Sequence, residues 1–252
     1  AAANEIPNGF LFPGKTQESA ATFLAGFWSA YHAYPDFRQA EVTFDEAAML
    51  TAWNRLNNMV KSGVVPPETM NMSSEDCRSS FEKGNAVFMW NWSYAARLFQ
   101  DEKSPLFGKV GIAPIPGSGD GTGSTGILSG YALVMSKKTT AIPEVWSFMQ
   151  YMTGEESQSE AADAGLMPAR VSLYGNTQWQ SKSALPSWFH DALASGRALK
   201  LGPNADNQLN MMAQSAALAI GQKKDAAELM LYLKEGVIPE EPVEEEPEEG
   251  AE

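Results

Sequence analysis

The sequence predicts an α/β fold, and three observations carry that reading. Short apolar runs of strand length are scattered between longer stretches whose apolar residues recur at helical spacing, the alternation that builds a sheet with helices packed on it. Punctuating residues fall at the joins, with Gly63 placed to end one helix and Pro143 to begin another. At 252 residues and 44% hydrophobic, the chain can bury a sizeable core as one large or two small domains.

Taken in order, Gly9 to Phe12 reads as the first strand. Thr43-Phe44-Asp45-Glu46 then has capping-box spacing, and Met49, Trp53, Leu56 and Val60 recur on one face behind it, which predicts a helix running to Gly63. Ala86 to Trp90, Val110 to Ala113 and Ala132 to Met135 read as further short strands, with the flexible loop Gly117 to Gly126 between the last two. Val145, Phe148, Met149 and Met152 fit a helix entered near Pro143. Leu209, Met212, Ala213, Ala216 and Ile220 give another, and Ala226, Leu229, Met230 and Leu233 a last one. All these stripes are expected to be core. From about residue 238 to 252 the chain is Glu- and Pro-rich with little apolar content, so a disordered acidic tail is expected.

Phe81 to Phe99, FEKGNAVFMWNWSYAARLF, is the most informative stretch. If the strand persists past Trp90, its period of two sets Trp90, Trp92 and Tyr94 on one face as a flat aromatic wall. Such a wall suits the C–H face of a sugar ring, but large aromatic residues also simply pack, and spacing alone leaves both readings open.

Composition excludes several function classes. Net charge is −13, but nine of the 31 acidic residues lie in residues 235–252, which leaves 22 against 18 bases, a mildly acidic body at −4 with no basic cluster for nucleic acid. Cys77 is the single cysteine and the only histidines are His32 and His190, so there is no disulfide framework and no zinc spacing. No metal and no cofactor is expected. No run approaches the length of a membrane span, and cysteine usage fits either a cytoplasmic or an exported protein. Gly9 to Thr16, GFLFPGKT, matches the phosphate-loop pattern, yet its bulky spacer reads as a strand and no buried strand precedes it. Gly121-x-Gly123-x-x-Gly126 matches a dinucleotide fingerprint but precedes a strand-like run, so it is read as loop composition. No G-x-S-x-G elbow occurs, Cys77 has no local activating charge, and no catalytic residue is assigned.

The run carried by Phe81, Gly84, Asn85, Ala86, Phe88, Met89, Asn91, Trp92, Tyr94 and Ala95 resembles the signature of the family 1 extracellular solute-binding proteins of ABC importers, in the trehalose/maltose branch. GKVGIAPIPG, SGYALVMSKKT, PEVWSFMQYMTGEESQ and GLMPAR follow in the family's order, and Gln17-Glu18 resembles its Gln-Glu pair. The resemblance implies a two-lobed, periplasmic-binding-protein-like (type II) α/β fold that closes on ligand about a hinge. It places residues 1–128 and 178–237 in the C-terminal lobe and 129–177 across the hinge into the N-terminal lobe. Because a long N-terminal segment precedes the Gln-Glu pair in the family, the chain is expected to lack most of one lobe, and residues 129–177 to lack their sheet partners, leaving the faces of Val145, Phe148 and Met149 partly uncovered.

The same resemblance implies capture without chemistry: a sugar or oligosaccharide is held between the lobes and delivered to the permease subunits of an ABC importer. The binder would be a monomer on the periplasmic or extracellular face of the membrane, with a lipid anchor allowed. Trp92 and Tyr94 would stack on sugar, and Asn91 would orient the strand end or reach a hydroxyl. Ser129, Gly130 and Tyr131 replace the family's Gly-Gly-Trp, making Tyr131 a second stacking ring. Glu18 and Arg197 stand where the family has an acceptor carboxylate and an Arg-Pro, though both also read as surface charges. Trp90 replaces an Arg and Ala198 a Pro, departures that leave the sugar open. A carbohydrate-active enzyme or gripping module, or a binder of another solute such as glycerol phosphate, are the alternatives.

Overall fold

The computed structural model describes residues 6–119, 126–175, 177 and 185–236. The acidic tail and most of the loop bearing Gly121 and Gly123 lie outside the described residues. Strand β1 (Asn8–Leu11) and β2 (Ala86–Met89) pair in parallel, with Phe10 opposite Phe88 and Leu11 opposite Met89. Trp90 N–H donates to the Leu11 carbonyl at 2.8 Å and carries the ladder one residue further. On its other edge β1 donates from Gly9 and Phe10 to the Val64 carbonyl at 3.1 and 2.8 Å.

Parallel strands need a crossover. Here it consists of α1 (Gln17–Ser29), α2 (Glu46–Lys61), a 3-10 turn (Pro67–Asn71) and α3 (Ser74–Glu82). In α1, the Thr16 hydroxyl accepts from Ser19 N–H at 3.2 Å, and ten of the helix's thirteen residues are buried. A helix apolar all round presents no stripe, so periodicity does not reveal it. Helix α2 begins with Asp45 accepting from Ala48 N–H at 3.0 Å, one correction to the expected Thr43 cap. Thr43 is instead held extended by backbone pairing with Asp36, which moves the helix start to the next side-chain acceptor. Met49, Trp53, Leu56 and Val60 are buried as predicted, and Gly63 follows the helix at φ +71°, where other residues are strained.

Beyond β2 lie α4 (Ser93–Phe99), α5 (Ile142–Met152), α6 (Glu155–Asp163), the short turn α7 (Val171–Tyr174), α8 (Leu185–Ser195), α9 (Ala205–Ile220) and α10 (Ala226–Glu235). Helices α1, α2, α9 and α10 enclose one core around Phe12, Phe23, Trp28, Trp53, Met212 and Leu229. The predicted stripes of α9 and α10 face it, with Met212, Ala216, Ile220, Leu229 and Leu233 buried.

Between residues 110 and 152 the strand expectation fails, and the α5 stripe follows one of its two readings. Val110–Ala113 and Ala132–Met135 form no strand, because neither has a neighbouring strand to bond among the described residues; Leu133 is 45% and Val134 85% exposed. The α5 face is uncovered, the outcome that the family resemblance implies over the core reading of its stripe: none of its residues is buried, and Ile142, Trp146, Phe148 and Tyr151 are more than half exposed. Among the described residues, 129–177 contribute the small separate cluster of Ala162, Leu173 and Tyr174. The described fold is therefore mixed α/β but mostly helical.

The phosphate-loop look-alike has no phosphate cradle. Gly14 and Lys15 N–H groups donate to the Thr69 and Met72 carbonyls, both at 3.1 Å. A Cβ on Gly14 would meet Met70 Cα at 2.7 Å and Thr69 O at 2.9 Å, so glycine is there for a close backbone approach. The buried Thr69 hydroxyl closes this corner by accepting from Phe12 N–H at 3.1 Å and donating to Phe12 C=O at 2.5 Å.

Candidate functional site

Both strands leave the sheet at the same edge, and the elements that follow them carry the predicted residues. In open α/β sheets the space outside the carboxyl ends of parallel strands is where ligands bind. After β1 the chain turns into α1, whose exposed first turn holds Glu18, a favourable place for a carboxylate at the positive end of a helix dipole. After β2 it reaches Asn91, Trp92 and Tyr94.

The strand does not persist as the alternation argument requires. It stops at Met89, Trp92 stands at the N-cap of α4 and Tyr94 lies in that helix's first turn, so the three rings do not form one wall. Trp90 and Trp92 are neighbours at 5.5 Å between centroids, tilted by 58°, and Trp90 meets Phe23 of α1 edge-on at 6.1 Å. Half-buried Tyr94 turns toward α3 instead. Burial and then the nearby Glu75 carboxylate push its phenol well above the ordinary value. Burial acts to raise Glu75 in turn, but Arg78 at 2.8 Å and Tyr94 outweigh it and hold that carboxyl below its usual range.

Asn91 secures the turn out of the strand. Its side-chain amide donates to the Ser74 carbonyl at 2.9 Å, and its oxygen accepts from Trp92 N–H at 2.8 Å. Those bonds fix the position of Trp92, whose half-buried ring remains partly open to solvent.

The distant segments also converge. The Ser129 hydroxyl donates to Glu18 Oε1 at 3.4 Å, a long contact across 111 residues of sequence. Two residues earlier, Ile127 bridges Arg197 in parallel: Arg197 N–H donates to Gly126 O at 2.9 Å and Leu128 N–H to Arg197 O at 2.8 Å. The Arg197 guanidinium carbon lies 4.6 Å from the centre of the Tyr34 ring, a cation–π contact. Glu18, Ser129 and Arg197 are thus linked through one short stretch, while Tyr131 is fully exposed and Gly130 has open space where a Cβ would stand. The Tyr34 contact is one that sequence reading does not supply; nothing at residues 30–35 signals that the loop after α1 returns to Arg197. Among the described residues no group of three or more His, Cys, Asp or Glu side chains is placed to hold a metal ion.

Comparison with known proteins adds to this geometry. A family model described as bacterial extracellular solute-binding protein matches residues 12–159. A probable ABC transporter-binding protein of Deinococcus radiodurans is 25% identical over 237 residues, covering 91% of this chain and 55% of that protein. Among solved structures, maltose-bound MalE3 of T. maritima is similar with a TM-score of 0.79 at 21% identity, over 92% of this chain and 60% of that one. An ABC transporter solute binding protein of Thermotoga lettingae TMO bound with α-D-tagatose gives 0.76 at 14% identity, over 94% and 60%. One from Agrobacterium radiobacter K84 in complex with ribitol gives 0.73 at 15%, over 92% and 59%. The chain therefore spans less than two thirds of the length of these relatives.

Proposed function

The chain belongs to the bacterial extracellular solute-binding proteins, and from that premise we propose that it captures a sugar, sugar alcohol or oligosaccharide for an ABC importer. Its architecture is a periplasmic-binding-protein-like fold in part, covering about 60% of the solved relatives. Ligand is held at the carboxyl edge of the β1–β2 pair and handed to permease subunits unchanged. The protein works on the extracytoplasmic side of the membrane; no described helix is long and apolar enough to cross one.

The observation that carries this reading is the convergence of Glu18 with Ser129, and of Ser129's neighbours with Arg197, beside the edge where Asn91 fixes Trp92. A carboxylate, a hydroxyl and a guanidinium supply acceptors and donors for hydroxyl groups, and Trp92 supplies an apolar face. Ligands named for the structural relatives, maltose, tagatose and ribitol, are polyhydroxylated and uncharged, which supports the same class. We read residues 129–177 as the part that crosses into a second lobe, since among the described residues the main core takes none from them.

Thermal unfolding of the chain with maltose, D-tagatose and ribitol tests the proposal. A ligand at about 100 times its Kd stabilises the native state by about 2.7 kcal/mol, or roughly 5–10 °C for a chain of this size. A flat response to all three at concentrations up to about 100 mM, against a Kd expected at or below about 1 mM, defeats it.

A further inference from the structure

We propose that Tyr34 is a positioning residue that holds the Arg197 guanidinium for ligand, an inference that rests on the sugar-binding reading of the site. Arg197 is restrained at both ends. Its backbone is clamped by the two hydrogen bonds to Gly126 and Leu128, at 2.9 and 2.8 Å. Its guanidinium lies against the Tyr34 ring at 4.6 Å.

The ring is itself fixed from α1. His32, at φ +60°, turns the chain sharply after the helix, and the Tyr34 hydroxyl donates back to the Ser29 carbonyl at 3.3 Å. Half-buried Tyr34 is therefore a stationary platform and not a loose surface ring.

The choice of an aromatic face matters chemically. Among the described residues no carboxylate forms a salt bridge with Arg197, in contrast to Arg38 with Asp36 at 2.6 Å and Arg78 with Glu75 and Glu82 at 2.8 and 2.9 Å. A carboxylate would fix the guanidinium by occupying its N–H donors. A ring fixes it through its π face and leaves those in-plane donors for another acceptor. Arginine held in this way is ready to donate to hydroxyl oxygens, with less side-chain entropy lost when ligand arrives.

Two measurements on the whole chain test the proposal. The first needs no sugar: the ring current of Tyr34 should shift the Arg197 side-chain protons upfield in the NMR spectrum, an effect kept in Tyr34→Phe and lost in Tyr34→Leu. The second is a double-mutant cycle of Tyr34→Leu and Arg197→Gln, read as Kd for maltose, D-tagatose and ribitol. Tyr34→Leu should weaken binding roughly two- to fivefold, as expected for a partly exposed cation–π contact, and Tyr34→Phe, which keeps the ring but loses its hydroxyl bond to Ser29, should restore most of it. On an Arg197→Gln background Tyr34→Leu should have no further effect, an outcome that a general packing role for the ring does not produce. Additive losses, or Arg197 protons at random-coil positions in the wild type, overturn the proposal. If the wild type binds none of the three probes, the sugar reading falls and the role for ligand assigned to Tyr34 falls with it; the NMR shift then decides whether the ring–guanidinium pair exists.

Discussion

Replacing Trp92 and Trp53 by alanine tests the proposal that Trp92 faces ligand while Trp53 belongs to the core. Trp53 is fully buried, edge-on to Trp28 at 5.4 Å between centroids, so its removal leaves a cavity at the centre of the α1–α2–α9–α10 core. Losses of this kind cost about 3–5 kcal/mol, which lowers the melting temperature by roughly 6–20 °C at about 2–4 °C per kcal/mol. Trp92 is half-buried at the start of α4 and touches Trp90, so its removal should leave the fold nearly intact. If its open face covers about 60 Å² of sugar C–H surface, at about 25 cal/mol/Å², the loss is about 1.5 kcal/mol, or about tenfold in Kd. Calorimetric titration with a binding sugar, together with thermal melts, measures both quantities. Unchanged affinity in a folded Trp92→Ala protein refutes the stacking assignment, and a Trp53→Ala protein that melts like the wild type refutes the core assignment.

Lys15→Ala should leave sugar affinity unchanged, and the wild type should show no magnesium-dependent binding of ATP or GTP in equilibrium dialysis, because the Gly14 and Lys15 amides are already bonded to Thr69 and Met72. Native Cys77 should resist a thiol reagent such as DTNB and react once the chain is unfolded, since burial pushes its thiol up to about 12. The uncovered face of α5 should raise the fluorescence of ANS at pH 7, and the double change Trp146→Ser and Phe148→Ser should reduce that signal. Asp36 bonds Arg38 and lies 3.7 Å from Lys200, which depresses its carboxyl well below the usual range. A depressed carboxylate contributes stability that is complete above its unfolded value of about 3.9 and is lost as pH falls through the lower native value. Asp36→Asn should therefore lower the melting temperature at pH 7, with a smaller difference from wild type at pH 2.

The parts of the fold legible in the sequence were those that bury one face. Met49, Trp53, Leu56 and Val60 mark α2, and the stripes of α9 and α10 mark the helices that close the same core. Helix α1 was hidden because it is buried nearly all round and shows no period. The α5 stripe marks a helix face but not what covers it, since amphipathicity shows that a face wants cover and not that the described chain supplies it; the family resemblance, and not the stripe, implies the uncovered face. Strand propensity failed for the same reason at Ala132–Met135, where no neighbouring strand among the described residues offers hydrogen bonds.

At the candidate site, Asn91 and Trp92 are proposed from one local motif. Their conversion from strand to helix cap was not legible, because the turn depends on the Ser74 carbonyl 17 residues away. The approach of Ser129 to Glu18 and of Arg197 to Tyr34 are long-range events that no local pattern encodes.

The central claim, that the carboxyl edge of the β1–β2 pair takes a sugar or sugar alcohol, is tested most directly by following assigned NMR signals while maltose, D-tagatose and ribitol are titrated into the chain. Saturable shifts at Glu18, Asn91–Trp92, Ser129 and Arg197, with the Trp92 indole N–H moving and the Trp53 indole N–H still, are the predicted result. Saturable shifts confined to other surfaces, or none with any of the three, would contradict the account.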